Sequence, residues 1–224
     1  TLHNTLFPYT TLFRSGLSGL LTKQLEGRAA KLARLIQKSG KRLEETMESA
    51  LQLSQLEAGS YTPAHTTLSL ASLARRIVDE FEPDAKDSGV SLQVETPGEP
   101  TEAYVDEMAV RRVISNLVDN AIKFTPENGH VTIRTYAKDS NMVTVEVEDT
   151  GVGISEEALP RIFQAFQQES EGLTREYEGV GLGLSIVQKL VEALGGRIEV
   201  DTEKGRGTCM SVHLPRPNES KSSS

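Results

Sequence analysis

The chain has 224 residues, enough for one large domain or two small ones and long enough to bury a core without covalent staples. Hydrophobic residues make up 37% and charged residues 25%, with no Trp, which fits a soluble globular protein and excludes a collagen-like or wholly disordered one. One cysteine, Cys209, excludes an intramolecular disulfide framework and a Cys-based zinc site, and 24 Lys and Arg against 32 Asp and Glu, net −8, leave no basic field for nucleic acid.

Residues 1–15, TLHNTLFPYTTLFRS, hold Phe7, Tyr9 and Phe13 but no helical or alternating pattern. They resemble a translated sequencing adapter and are set aside from the fold as a tag would be, with a short natural N-terminal arm as the alternative. From about Leu20 to Glu57 the spacing predicts one long amphipathic helix, broken near Gly27, with Leu32, Ile36, Leu43, Met47, Ala50 and Leu53 along one stripe. Such a stripe needs a partner helix, so a self-associating stem over 16–59 is expected; the alternative is a helix laid on its own domain. Ala58-Gly59-Ser60 and Pro63 read as the stem's end and a hinge.

Beyond the hinge, the periodicity predicts a helix near Leu70–Phe81, a strand at Val90–Glu95, a helix at Asp106–Phe124 and strands at His130–Tyr136 and Met142–Glu148. A helix at Ser185–Leu194 and strands at Arg197–Asp201 and Thr208–Leu214 follow, and the tail 217–224 is polar and expected to be disordered. Val143/Val145/Val147 and Ile198/Val200 alternate with polar residues, so the sheet should be covered on one face and wet on the other. The expected class is α+β: a helical stem, then a two-layer α/β sandwich over 60–216.

Three segments carry chemistry. On the 106–124 helix, Asn116, Asn120 and Lys123 lie within roughly 60° of one another at about 100° per residue, so two amides and an ammonium face one way. An amide oxygen suits Mg²⁺ and a lysine suits phosphate; a solvated polar face is the bland reading. The strand at 142–148 runs into Asp149-Thr150-Gly151-Val152-Gly153, where a carboxylate can accept the exocyclic amine of adenine and would repel the oxygen of guanine. A turn using Asp and Gly for backbone tolerance remains open there. Finally, Gly179-Val180-Gly181-Leu182-Gly183 leads into an apolar helix whose start can hold phosphate. It follows no strand as a dinucleotide fingerprint would and lacks the Gly-Lys-Ser/Thr of a P-loop.

Taken in order, Asn116-Leu-Val-Asp-Asn120-Ala-Ile-Lys123-Phe124-Thr125, Asp149-x-Gly151-x-Gly153, Ile162-Phe163-x-x-Phe166 and Gly179-x-Gly181-x-Gly183 resemble the N, G1, F and G2 boxes of sensor histidine kinases. The segment ending Leu53-Ser-Gln-Leu-Glu-Ala-Gly59 is similar to the close of their dimerisation and phosphotransfer hairpin, and the likeness spans about residues 20–215. The resemblance implies a Bergerat-type fold binding Mg-ATP, with Asn120 on Mg²⁺, Asn116 and Lys123 at the phosphates, and Asp149 on the adenine amine. Gly151, Gly153, Gly179, Gly181, Gly183 and Thr208 would belong to the nucleotide site. A lid over about Gln164–Glu178 would cover it, with Arg175 reaching phosphate; Val180 replaces the Thr common at its place. ATP-hydrolysing relatives carry a Glu where this chain has Asn116, and an amide cannot take up a proton from water, which favours a kinase.

The family's phospho-accepting His lies in His-Glu-x-x-x-Pro upstream of the stem. Here the adapter-like stretch stands in that place: His3 and Pro8 keep the step, but Asn4 and Leu6 replace the acid and the base. His65 in the hinge, His130 in a turn and His213 in the last strand carry no mark of an acceptor. The expected activity is therefore ATP-dependent histidine phosphorylation with onward transfer to a response-regulator receiver Asp, from a chain that binds Mg-ATP but lacks its acceptor. A nucleotide-binding regulatory module without turnover, an anti-sigma-type serine kinase and an ATPase of the same superfamily are the alternatives. The expected partners are ATP, a receiver domain and a second copy through the stem, with no nucleic acid. A cytoplasmic location is expected, with any membrane contact through upstream segments.

Overall fold

The computed structural model describes residues 27–96, 101–167 and 181–217. The stretch 1–15, the expected start of the stem and the tail beyond Pro217 lie outside them. The chain divides into two compact units, Thr1–Leu51 and Gln52–Ser224, and α1 (Gly27–Glu57) crosses that division. Leu32, Ile36, Leu43, Met47 and Leu51 on α1 are all exposed. The helix stops where the sequence predicts: Gly59 takes φ 65°, and Ser60 N–H donates to the Gln55 carbonyl at 3.1 Å, which closes the last turn.

The second unit runs β1 (Thr66–Ser69), α2 (Leu70–Asp87), β2 (Ser91–Glu95), β3 (Glu102–Val105), α3 (Glu107–Phe124), β4 (His130–Ala137) and β5 (Met142–Asp149). A short 3₁₀ turn at Leu159–Arg161, α4 (Gly183–Ala193), β6 (Arg197–Glu203) and β7 (Gly207–Pro215) complete it. Five strands form a mixed sheet in the order β2-β4-β5-β7-β6, with β2 parallel to β4 and the other neighbours antiparallel. The register puts Val131, Ile133, Val143, Val145, Val147, Met210, Val212 and Leu214 on one face, all buried. Against it pack α2, α3 and α4, which bury Leu73 and Ile77, Val113 and Leu117, and Ile186 and Leu190. The opposite face is polar, as the alternation requires: Arg134 bonds Glu95, Glu146 and Glu148 there. His213 also lies on that face yet is 1% exposed, held between Thr144 at 2.8 Å and Lys138 at 3.1 Å.

Several elements differ from the sequence expectation. Helix α2 runs past Pro83 to Asp87 because Ala85, beyond the proline, is buried in the core. His130 opens β4, as the predicted strand at His130–Tyr136 has it and not as a turn residue, pairing with Ser91 while Val131 pairs with Asp149. Two four-residue strands, β1 and β3, pair only with each other and are too short for alternation to mark. Among the described residues, no helix is long and apolar enough to cross a membrane.

Candidate functional site

Asp149 ends β5 on the helix-covered face, two residues beyond Val147 in the same alternation. Its Oδ1 accepts the N–H of Gly151 at 2.8 Å and, from across the sheet, the N–H of Thr208 at 3.2 Å. Burial pushes the carboxyl above the ordinary carboxylate range, Glu148 adds to the shift, and the two amide N–H groups oppose it. One oxygen is thus fixed by the fold, and the carboxylate is aimed rather than free to turn.

The glycines around Asp149 are there for close approach. A Cβ on Gly151 would stand 2.5 Å from the Phe124 carbonyl oxygen and 2.7 Å from Asp149 Oδ1. Gly153, at φ 62°, would press a Cβ onto the Glu203 carbonyl, and Gly207, at φ 107°, onto the carbonyl of Asp149 itself. Val152 N–H donates to the Phe124 carbonyl at 3.1 Å, so the loop after β5 is tied to the C-terminal end of α3. Thr202 locks the far side: its hydroxyl donates to the Gly207 carbonyl at 3.0 Å, accepts from Ile154 N–H at 3.0 Å and pairs with the Thr208 hydroxyl at 3.0 Å.

Helix α3 begins at the Asp106 cap, whose side chain accepts from Ala109 N–H, and its apolar stripe from Val110 to Ile122 is buried. That burial turns Asn116 and Asn120 toward the start of α4. A Cβ on Gly183 would lie 4.0 Å from the Asn116 side-chain amide carbon and 4.0 Å from Asn120 Nδ2. Leu182 supplies no side-chain cap to α4, so its first N–H groups have no such acceptor. Asn116 Nδ2 is buried and has no hydrogen-bond partner. An orphaned amide donor beside an uncapped helix start fits an anionic ligand. The Lys123 ammonium lies 5.1 Å from the centre of the Phe124 ring.

Phe166, at φ 63°, donates its N–H to the Gly181 carbonyl at 2.9 Å, and a Cβ on Gly181 would stand 2.7 Å from the Gln167 carbonyl oxygen. Arg175, Gly179, Val180 and most of the expected lid lie outside the described residues. Of the expected site residues, Asp149, Gly151, Gly153 and Thr208 come together at one end, and Asn116, Asn120 and Gly183 at the other, with α3 touching both. Sequence reasoning missed Thr202, Gly207 and the Phe124 carbonyl; only the Gly207-Thr208 pair opening the last strand could have signalled them. Among the described residues, no cluster of three or more His, Cys, Asp or Glu could hold a metal ion.

The histidine kinase-, DNA gyrase B- and HSP90-like ATPase family matches residues 105–218, and the chain belongs to it. The region matched begins at the end of β3 and takes in both ends of the site. The autoinducer 2 sensor kinase/phosphatase LuxQ of Vibrio parahaemolyticus is 34% identical over 207 residues, 89% of this chain and 24% of that protein. The circadian input-output histidine kinase CikA of a Synechocystis species is 36% identical over 186 residues, 82% of this chain and 24% of that protein. The chain thus spans about a quarter of the length of these relatives. Among solved structures, full-length ShkA in complex with AMPPNP is similar at TM-score 0.75 and 28% identity, covering 93% of this chain and 44% of ShkA. Histidine kinase ThkA in complex with the response regulator protein TrrA is similar at TM-score 0.67 and 25% identity, covering 94% of this chain and 58% of ThkA. The fold and family are those of an ATP-binding domain of sensor histidine kinases.

Proposed function

We propose that this chain is the ATP-binding catalytic part of a two-component sensor kinase, moving the γ-phosphoryl of Mg-ATP to a histidine on a helical stem and onward to a receiver aspartate. The observation that carries this is the placement of α3, whose C-terminal carbonyl is bonded to the Asp149 loop and whose two amides stand beside the start of α4. One helix thereby spans the distance from an adenine reader to a phosphate cradle. In this reading Asp149 accepts the adenine amine through its second oxygen, Gly151 and Gly153 let the ring lie against backbone, and Thr208 holds the carboxylate in place. Asn116 and Lys123 face the phosphates, together with Gly181 and Gly183 and with Gly179 and Arg175 of the segment between. Asn120 would hold Mg²⁺ through its amide oxygen; when bound, the ion supplies charge neutralisation between phosphate groups.

Phosphoryl transfer depends mostly on positioning and charge stabilisation, so the protein's part is to orient and to exclude water. An amide at position 116 cannot act as a general base toward water, which supports transfer over hydrolysis. Of the predicted stripe, Leu32, Ile36, Leu43 and Met47 are exposed and only Leu53, at its end, is buried, which supports a stem over 16–59 that pairs with a second copy, ahead of the ATP domain at 60–216. The ThkA–TrrA likeness supports a receiver domain as partner. A cytoplasmic site of action follows from that chemistry.

The test is to mix the chain with a stem carrying the acceptor histidine and with γ-labelled ATP. Acid-labile label on the added stem is expected; nucleotide binding without any transfer would establish instead a binding module that does not turn over. Label on this chain alone, at His3, would restore residues 1–15 to the functional protein. Asn120→Ala and Asp149→Asn should each weaken nucleotide binding strongly and abolish transfer at ordinary ATP concentrations.

A further inference from the structure

We propose that Asp106 is a positioning residue that fastens the linker leading out of α1 to the N-terminal end of α3, the helix that carries the nucleotide amides further along. This rests on the kinase reading for its consequence but not for its geometry. Asp106 follows β3 directly and caps α3: Oδ1 accepts Ala109 N–H at 3.1 Å, and Met108 N–H also donates to the carboxylate. An N-cap needs one acceptor, and Ser, Thr or Asn would serve as well. What the carboxylate adds is its second oxygen. Oδ2 accepts the N–H of Ala64, 42 residues earlier in the chain, at 3.0 Å, and the Tyr61 hydroxyl donates to the same group.

The linker is held at further points along this edge. His65 stacks on Tyr104, ring centres 5.4 Å apart and planes 26° from parallel, and Thr66 pairs with Val105 in the β1–β3 ribbon. From Tyr61 to Thr66 the chain is therefore laid along β3 and its exit, and the carboxylate joins that path to α3. The charge states agree with a fixed contact. The four donors hold the Asp106 carboxyl below its ordinary range despite the burial that opposes them, while burial and the neighbouring carboxylate push the Tyr61 phenol up to about 12. At neutral pH one group is an acceptor and the other a donor. A linker docked in this way is held along its whole exit from the ATP domain, which removes orientational freedom that transfer to the stem would otherwise have to overcome.

Two substitutions separate the cap from the fastening. Asp106→Ser keeps one oxygen for Ala109 and loses the one that reaches Ala64; Tyr61→Phe removes only the hydroxyl. Hydrogen exchange of the whole chain should show amides 61–65 exchanging about tenfold faster in both variants, with the interior of α3 unchanged. In the phosphotransfer assay kcat to the acceptor stem should fall about fivefold while KM for ATP stays within about twofold. Unchanged linker exchange in both variants would overturn the fastening. Faster linker exchange with unaltered kcat, or a KM rise accompanied by faster exchange in α3, would overturn the positioning role. If the unaltered chain transfers no phosphate at all, the kinase reading fails, and the fastening is judged by exchange alone.

Discussion

The two ends of the proposed nucleotide site are built on different terms. At the proposed adenine end the frame is already engaged, with only the second Asp149 oxygen left for a ligand: Oδ1 takes two backbone N–H bonds, Thr202 joins three partners, and the glycines are pressed against carbonyls with no room for a methyl. At the phosphate end the opposite holds. Asn116 Nδ2 is buried without a partner, α4 starts without a side-chain cap, and Gly183 has ordinary clearance to both amides. A base is recognised by shape and by one aimed acceptor, which a rigid frame serves best. A phosphate tail brings its own acceptors, so donors held back from internal bonding gain most from it.

The sharpest way to break this contrast is Asp149→Asn. The substituted amide would present a donor to the adenine amine, and nucleotide affinity should fall about 100-fold by calorimetry. Because burial already disfavours the charged form of Asp149, thermal stability should hold or rise, and a large loss of stability would show that the carboxylate is structural. Next in size, Gly151→Ala forces a Cβ against the Phe124 carbonyl and should destabilise by about 3 kcal/mol in denaturant titration. Asn116→Ala at the other end should weaken nucleotide binding about tenfold while leaving apo stability equal or slightly higher, since an unpaired buried donor is removed. A stability loss there would mean that the amide is engaged in the apo protein after all. Gly183→Ala should stabilise α4 by about 0.5 kcal/mol and still weaken binding, the reverse of its counterpart at Gly151.

The smallest effect concerns pH. Asp106 titrates lower in the folded chain than unfolded, so its contribution is present above the unfolded value of about 4 and is lost as pH falls through the folded one. The stability difference between the unaltered chain and Asp106→Asn should therefore be present at pH 7 and shrink on acidification. A difference that grows instead would reverse the sign of this coupling.

The long elements were legible in the sequence because their periods are long enough to count. Helix α3, strands β4 and β5, helix α4 and the closing strands fall where periodicity places them, within a residue or two. The polar and apolar faces of the sheet follow from the Val143/Val145/Val147 alternation, and the helical spacing of Asn116 and Asn120 already puts both amides on one side. What sequence alone could not supply was anything joined across distance. Thr208 reaches Asp149 through a backbone N–H, whose partner depends on strand register and not on residue type. Thr202 and Gly207 matter because of carbonyls that other strands bring to them. Helix α2 passes Pro83 because core packing outweighs local preference, and Asp106 fastens Ala64 because the β1–β3 ribbon carries the linker past it. Residue identity and spacing chose the chemistry and the faces; only the folded sheet decided which backbone groups meet, since hydrogen bonds between distant segments leave no periodic trace along the chain.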